Sequence, residues 1–87
     1  MKYRSRTEIV ATILDAANGG STKTKIMYTA FLSYAQLREY FSVLLENNLL
    51  YIDGDHTYKT TEKGLNFLKM HNEIGQLLQY TSIKNKL

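Results

Sequence analysis

Five cationic side chains fall in the first third of the chain, and the chemistry that such side chains offer is the binding of phosphate and other anions. They are Lys2, Arg4, Arg6, Lys23 and Lys25. Each phosphate that a lysine or arginine neutralises adds roughly 0.9 to the slope of log affinity against log salt concentration. Ordinary solvated surface charge is the alternative interpretation. The formal net charge of +3 and the pI near 9.2 permit a nucleic-acid partner without requiring one.

The sequence contains no arrangement of residues typical of catalysis or metal binding. His56 and His71 are far apart, and no carboxylate stands near either at metal-ligand spacing on a shared helix face. Asp53-Gly54-Asp55 begins like a calcium loop, but the later ligands are missing. Because the chain has no cysteine, disulfides, thiol catalysis and cysteine-bound zinc are excluded. No glycine-rich phosphate loop or nucleophile motif is present either. We therefore expect a protein that is not an enzyme and that uses no metal, cofactor or small-molecule ligand.

Length and hydrophobicity indicate a single small domain. The 87 residues are 44% hydrophobic, which is enough for a core but leaves little stability to spare. No apolar run approaches the roughly 18 residues that a membrane span needs. Glu8, Thr12 and Asp15 interrupt the apolar residues after the basic N-terminus, so we predict no signal peptide. We expect a cytoplasmic protein with no membrane partner.

Two helices are predicted in the N-terminal third. Ser5 and Glu8 have the spacing of a capping box, and the apolar residues after them recur at helical spacing, which predicts a helix over about 6–18. Asn18-Gly19-Gly20 would end it, because glycine readily adopts the left-handed conformation found at helix ends. Ser21 is the predicted cap of a short second helix over about 22–29. Lys23 and Lys25 would then oppose the helix dipole, which makes sense if they reach for phosphates.

A third helix is predicted over about 33–47, opened by a second capping box between Ser33 and Gln36. Leu37, Phe41, Leu44 and Leu45 mark its buried face. Two short strands at 49–52 and 56–60 follow, and Asp53-Gly54 between them predicts a hairpin with a two-residue turn. Together these strands form a wing over 49–60.

The final segment, 61–87, is predicted to be one helix that packs on the domain and forms a homodimer. Thr61 is the expected cap, and Leu65 and Leu68 are expected to pack back on the domain. The apolar residues at coiled-coil spacing, with Leu78 beside them, form the predicted dimer seam: Phe67, Met70, Ile74, Leu77 and Leu78. A helix of this length carries too much apolar surface for one small domain to cover.

The order of these elements is that of a winged helix-turn-helix domain over 1–64 with an extended C-terminal dimerisation helix, a mainly α fold with a small β-hairpin. Tyr58-Lys59-Thr60-Thr61-Glu62-Lys63-Gly64 resembles the run that closes the wing in many prokaryotic and archaeal winged-helix regulators, with Thr60 where leucine is commoner. The chain also resembles small archaeal nucleoid proteins of about ten kilodaltons. The most distinctive residues of that resemblance are Asn18-Gly19-Gly20-Ser21-Thr22-Lys23-Thr24-Lys25-Ile26-Met27-Tyr28 and Leu32-Ser33-Tyr34-Ala35, and Ser5-Arg6-Thr7-Glu8-Ile9 adds to it.

The resemblance implies a dimer that binds double-stranded DNA with little sequence preference, as a nucleoid-associated chromatin protein or a transcription regulator. The candidate DNA-binding residues are Lys2, Arg4, Arg6, Lys23, Lys25, Ser33, Tyr34, Gln36, Arg38, Ser42, Lys59 and Lys63. Gln36 is the best base-reading candidate, since an amide near the start of a recognition helix can pair with adenine, although its role in the cap is the alternative. Tyr34 is expected to be buried against the second helix.

Acidic residues argue for a second function. Glu39 and Glu46 are predicted on the outward face of the third helix, and Asp53 and Asp55 lie at the wing tip. These carboxylates would lie near phosphates at an electrostatic cost if that surface bound DNA. The alternative is therefore a winged helix that binds another protein instead of DNA.

Overall fold

A computed structural model describes residues 4–86, with side chains described for residues 4–78. The element order is α1 (Arg6–Ala17), β1 (Ser21–Thr22), α2 (Lys23–Thr29), α3 (Tyr34–Glu46), β2 (Leu50–Ile52), β3 (Thr57–Thr60) and α4 (Glu62–Lys86). The fold is mainly helical with a small antiparallel sheet, which confirms the predicted fold class. None of the described helices combines the length and the hydrophobicity that a membrane span requires. Among the same residues, no three His, Asp or Glu side chains are grouped so that they could bind a metal ion.

Capping boxes begin α1 and α3 where the sequence predicts them. In the first, the Glu8 amide donates to Ser5 Oγ at 3.1 Å and the Ser5 amide donates to Glu8 Oε1 at 2.8 Å. In the second, the Ser33 and Gln36 pair makes the same reciprocal bonds at 3.2 and 3.0 Å. Each box satisfies two amides that the first helical turn leaves without partners. Such local pairs are readable from sequence because both partners lie within three residues.

The cap of α2 is Thr22, so the prediction of Ser21 is wrong. Thr22 Oγ1 accepts from the Lys25 amide at 3.2 Å. Ser21 instead belongs to β1, which pairs with β3 in the register Ser21↔Tyr58. A strand of two residues has no periodicity that sequence reasoning could detect. The sheet therefore has the order β1-β3-β2 rather than the two strands that were predicted.

The wing loop is also longer than predicted. β2 and β3 pair with Ile52 opposite Tyr58, and the Asp53 amide donates to the Thr57 carbonyl at 2.8 Å, which leaves residues 54–56 as a three-residue loop. The prediction of a two-residue turn at Asp53-Gly54 is therefore wrong. Gly54 and His56 both take positive φ, at 74° and 60°. This is typical of longer hairpin loops, in which an additional left-handed residue leads the chain back into the strand.

One hydrophobic core joins the three N-terminal helices to the sheet. Its most buried side chains are Ile13, Leu14, Ala17, Ile26, Ala30, Leu37, Leu44 and Leu50. Leu45, predicted on the buried face of α3, packs partly against this core. Tyr58 on β3 contacts the Phe41 ring with a centroid separation of 4.8 Å. The core thus fixes α2 and α3 against the wing.

Thr60 ties the wing to the first helix. Its buried hydroxyl donates to the Leu14 carbonyl at 2.5 Å. That carbonyl lies in the last turn of α1, where a helix leaves its acceptors without backbone partners. A leucine at position 60, as is commoner in the wing motif, would leave this acceptor without that bond. The hydroxyl therefore gives a physical reason for the threonine.

Gly64 is required by the close approach of α4 to the chain after α3. A Cβ atom there would collide with the Leu49 carbonyl and lie 2.6 Å from Thr60 Cγ2. We expect Gly64→Ala to lower the free energy of unfolding by about 3 kcal/mol, the upper end of typical overpacking costs, even though alanine favours a helix.

Gly75→Ala is the matched control, because a Cβ at Gly75 of the same helix meets nothing within 4 Å in its own chain. Here the gain in helix propensity should stabilise the protein by up to about 1 kcal/mol. Urea unfolding of both variants at equal protein concentration measures the difference. Equal stability of the two variants would contradict the packing argument.

Candidate nucleic-acid interface

The lysines at the start of α2 are held in place by the sheet. β1 pairs with β3, and the helix begins directly after it, so Lys23 and Lys25 lie in the first turn. Lys25 is exposed and Lys23 is partly so. No acidic residue occurs in the first turn of α2. The two ammonium groups therefore add positive charge where the helix dipole is already positive, as predicted.

Tyr34, the first residue of α3, lies between cations from two helices. Lys23 Nζ is 6.0 Å from the centroid of its ring, and the Arg38 guanidinium carbon is 5.9 Å from it. Its exposed fraction is 58%, so the expectation that Tyr34 is buried against the second helix is wrong. Leu32 and Leu37 fill the core on either side of this position, and the tyrosine ring stays at the surface. It interacts with both cations there at distances compatible with weak cation–π attraction.

The N-terminal segment brings further positive charge to the same region. Arg4 Nη2 donates to the Phe31 carbonyl at 3.3 Å, which places the arginine at the turn between α2 and α3. Arg6 borders a shallow depression along the outer face of α3, the α1–α3 groove. The groove is lined by Arg6, Val10, Ala35, Gln36, Arg38, Glu39, Tyr40, Ser42 and Val43. Lys2 lies outside the described residues.

Polar side chains in the α1–α3 groove offer several donors and one carboxylate. Arg6, Arg38 and Ser42 can donate hydrogen bonds to phosphate oxygens. Glu39 lies among them as the single acidic lining residue. Glu46 is exposed at the end of α3 and does not line the groove. The groove is thus cationic overall, with an acidic side chain that would repel phosphate locally.

Gln36 has a structural role that limits base reading. Its Oε1 atom accepts from the Ser33 backbone amide, and its backbone amide donates to the Ser33 hydroxyl. Bidentate pairing with adenine needs both the oxygen and the nitrogen of the side chain. The capping box already uses one of the two lone pairs of Oε1 and restrains the side chain, so Gln36 is less available for that contact while the box is closed.

The two lysines beside the wing have partners within the chain. Lys59 Nζ forms an ion pair with Asp53 Oδ2 at 3.0 Å, and the hydrogen bond and charge of Asp53 raise the pKa of Lys59. Lys63 Nζ donates to the Asn47 carbonyl at 2.9 Å, where it caps the end of α3. The structure therefore does not place Lys59 and Lys63 among the cations that converge on Tyr34.

Sequence reasoning missed the aromatic side chains around the α2–α3 turn. Tyr28 is 71% exposed, and Phe31 is 84% exposed. One signal in the sequence marks this region: no acidic residue occurs between Asp15 and Glu39, a stretch that contains Lys23, Lys25 and Arg38. The exposed aromatic residues lie within the same stretch. Exposed aromatic rings interleaved with cations are typical of surfaces that bind single-stranded nucleic acid.

A second surface, the α1–α4 groove, is apolar. It is lined by Ser5, Thr7, Glu8, Phe67, Met70, His71, Ile74, Gly75 and Leu78. Ile74 and Leu77 on α4 are 58% and 69% exposed. Phe67 lines this surface, packs partly on the core and stacks with His71 at 6.3 Å between centroids. Leu68 packs on the core as predicted, but Leu65 is 41% exposed and does not pack against the core cluster, so its predicted packing is wrong.

Comparison with known proteins agrees with this architecture. A family model described as winged helix-turn-helix matches residues 3–79. The structure is similar to the crystal structure of Sso10a-2, a DNA-binding protein from Sulfolobus solfataricus, with a TM-score of 0.82 and 26% sequence identity over 95% of this chain and 92% of that chain. No curated protein sequence matches the chain. The resemblance to small archaeal winged-helix proteins seen in the sequence is confirmed. Because the family model spans most of its length, this chain belongs to the winged helix-turn-helix family.

Proposed function

We propose that this protein binds double-stranded DNA, with α3 at the major groove and the surrounding cations on the phosphate backbone. The observation that carries the proposal is the convergence of cations on the start of α3. Lys23 and Arg38 flank Tyr34, Arg4 bonds to the α2–α3 turn, and Arg6 borders the α1–α3 groove. The similarity to a DNA-binding protein supports DNA binding as the function. Lys25 and the N-terminal Lys2 add further positive charge in this part of the sequence.

Limited sequence preference follows from the groups that α3 presents. Specific recognition depends on side chains that pair with base edges, whereas lysines and arginines on phosphates carry no sequence information. The Gln36 side chain takes part in the cap of α3, and the carboxylate of Glu39 would repel the DNA phosphates. Arg38 is the remaining strong donor that can reach guanine, and it already faces Tyr34. Contacts with the DNA phosphate backbone therefore dominate binding. This suits an architectural role in the nucleoid better than site-specific regulation.

The proposed active form is a homodimer joined through α4. Its exposed apolar side chains, Met70, Ile74, Leu77 and Leu78, form one stripe, and several of them line the α1–α4 groove. The occupant we propose for this groove is the α4 helix of a second copy. Each copy would then carry its own DNA-binding surface, so one dimer could bend or bridge DNA.

A salt series of binding to unrelated duplexes of equal length tests the function. Four phosphate contacts, from Arg4, Arg6, Lys23 and Lys25, should give a slope of log affinity against log salt of about −3.6. Affinities for the unrelated duplexes should agree closely. A single sequence preferred by about 4 kcal/mol or more would instead identify a site-specific regulator.

Absence of duplex binding even at low salt would contradict the proposal and favour the alternative, a protein-interaction module. The observation that favours this alternative is the exposure of three carboxylates, those of Glu39, Glu46 and Asp55. The acidic charge at the wing is weaker than the sequence suggests, because Asp53 is paired with Lys59.

A further inference from the structure

Phe31 occupies a backbone conformation that suits glycine or asparagine. Its φ is 55°, and it follows the cap of α2 in a Schellman motif: the Leu32 amide donates to the Met27 carbonyl at 3.1 Å, and the Phe31 amide donates to the Tyr28 carbonyl at 3.2 Å. The same motif ends α3, where the equivalent residue is Asn48 with φ 60°. At Asn48 the chain has one of the residue types that tolerate this conformation, whereas at Phe31 it has a bulky aromatic residue.

Packing within the domain does not account for this phenylalanine. The side chain is 84% exposed and does not belong to the core cluster. A large apolar ring in water gains little for folding, and the left-handed backbone adds strain. The position therefore combines two unfavourable features. A contact with something outside the domain would explain why an aromatic residue is present.

The surroundings of Phe31 indicate the chemistry of that contact. Tyr28 and Tyr34, on either side in the sequence, are also exposed. Lys23 is close to the Tyr34 ring, and Arg4 donates to the carbonyl of Phe31 itself. Proteins that bind single-stranded nucleic acid combine such features, with bases stacked on aromatic rings and cations along the backbone. Bases within an intact duplex are stacked on one another and do not offer their faces to protein side chains.

We propose that the α2–α3 turn binds single-stranded nucleic acid, with an unpaired base stacked on Phe31 and with Arg4, Lys23 and Lys25 on the backbone. This is a second binding activity beyond the duplex binding proposed above. Both activities use Arg4, Lys23 and Lys25, but only single-strand binding uses the Phe31 ring, and only duplex binding uses α3. The two activities can therefore be separated by substitution of Phe31 alone.

The test uses fluorescence anisotropy with a labelled 20-nucleotide oligothymidylate and a labelled 20-base-pair duplex. For Phe31→Gly, affinity for the single strand should fall by between about 5-fold and about 150-fold, the range for loss of one base–aromatic stack. Affinity for the duplex should change by less than about twofold. Glycine relieves the left-handed strain, so the thermal midpoint should be unchanged or higher, which excludes unfolding as the cause. Phe31→Tyr keeps a ring at this position and should retain binding of the single strand.

Three results would overturn the proposal: no binding of oligothymidylate by the unmodified protein at low salt, unchanged single-strand affinity in Phe31→Gly, or equal losses for single strand and duplex. The last result would assign Phe31 to the duplex interface. Binding of the single strand without any binding of the duplex would overturn the proposed duplex function and leave this inference supported.

Discussion

Replacing both Lys23 and Lys25 with glutamate should weaken binding to duplex DNA by about 100-fold at 0.1 M salt. Each lysine that neutralises a phosphate contributes roughly 0.9 to the salt slope, so loss of both contacts should reduce the slope by about 1.8. At 0.1 M salt that change alone corresponds to about 60-fold, and repulsion between the new carboxylates and phosphate adds to it. Titration across a salt series measures both the loss of affinity at 0.1 M salt and the change in the salt slope.

The substitution should not weaken the fold. Lys23 and Lys25 lie in the first turn of α2, where negative charge is favoured and positive charge is not. Two glutamates there should stabilise α2 by roughly 0.3 to 1 kcal/mol each, less the weak cation–π contact between Lys23 and Tyr34. An unchanged or raised thermal midpoint together with lost binding would therefore identify a defect in the interface.

Lys69→Glu is the matched control for the single variant Lys25→Glu. Both lower the net charge by the same amount, but Lys69 is exposed on α4 and borders a different hollow with Glu62 and Asn66. Lys25→Glu should reduce affinity roughly tenfold at 0.1 M salt, and Lys69→Glu much less. Equal losses would mean that only the net charge matters, and the local contacts proposed for α2 would be wrong.

Sequence reasoning predicted the parts of the fold that depend on neighbouring residues. The two capping boxes are examples, since donor and acceptor lie within one helical turn. It failed where partners are distant in the chain. The pairing of Ser21 with Tyr58 and the bond from Thr60 to Leu14 depend on how the helices and the sheet pack, which local patterns do not contain.

The distinction between neighbouring and distant partners also explains which parts of the candidate interface could be predicted from the sequence. Residue type alone identifies Lys23 and Arg38 as possible phosphate ligands, and the structure brings both to Tyr34. Residue type does not reveal that Lys59 is held by Asp53, because that pair lies across the wing hairpin and needs its register. Nor does it reveal that Phe31 is exposed. A phenylalanine next to a buried leucine has the sequence pattern of a core residue, and only the left-handed turn directs it to solvent.

The second large effect is expected on the oligomeric state. Ile74→Lys combined with Leu77→Lys should convert the proposed dimer to a monomer at micromolar concentration. In a two-fold dimer four apolar side chains would leave the interface, each worth about 1 kcal/mol or more, which weakens association by roughly 1,000-fold. Both residues are exposed within one chain, so the fold of the monomer should be little affected. Sedimentation equilibrium measures the change directly.

Asn72→Lys combined with Gln76→Lys is the control, because it adds the same charge to the same helix. At about 100° per residue these positions lie on the face of α4 opposite Ile74, and both are exposed. This variant should remain dimeric. A monomeric unmodified protein, or equal dissociation of both variants, would refute the seam that we propose.

Dimerisation and DNA bridging should be lost together, while simple binding persists. A duplex fixed to a surface should capture a second, labelled duplex only when one protein particle carries two DNA-binding surfaces. The Ile74→Lys, Leu77→Lys variant should therefore bind the fixed duplex, helped slightly by its added charge, but should not capture the second one. Capture of the second duplex by a proven monomer would place two binding surfaces on a single chain. The cations that converge on Tyr34 would then account for only one of those two surfaces.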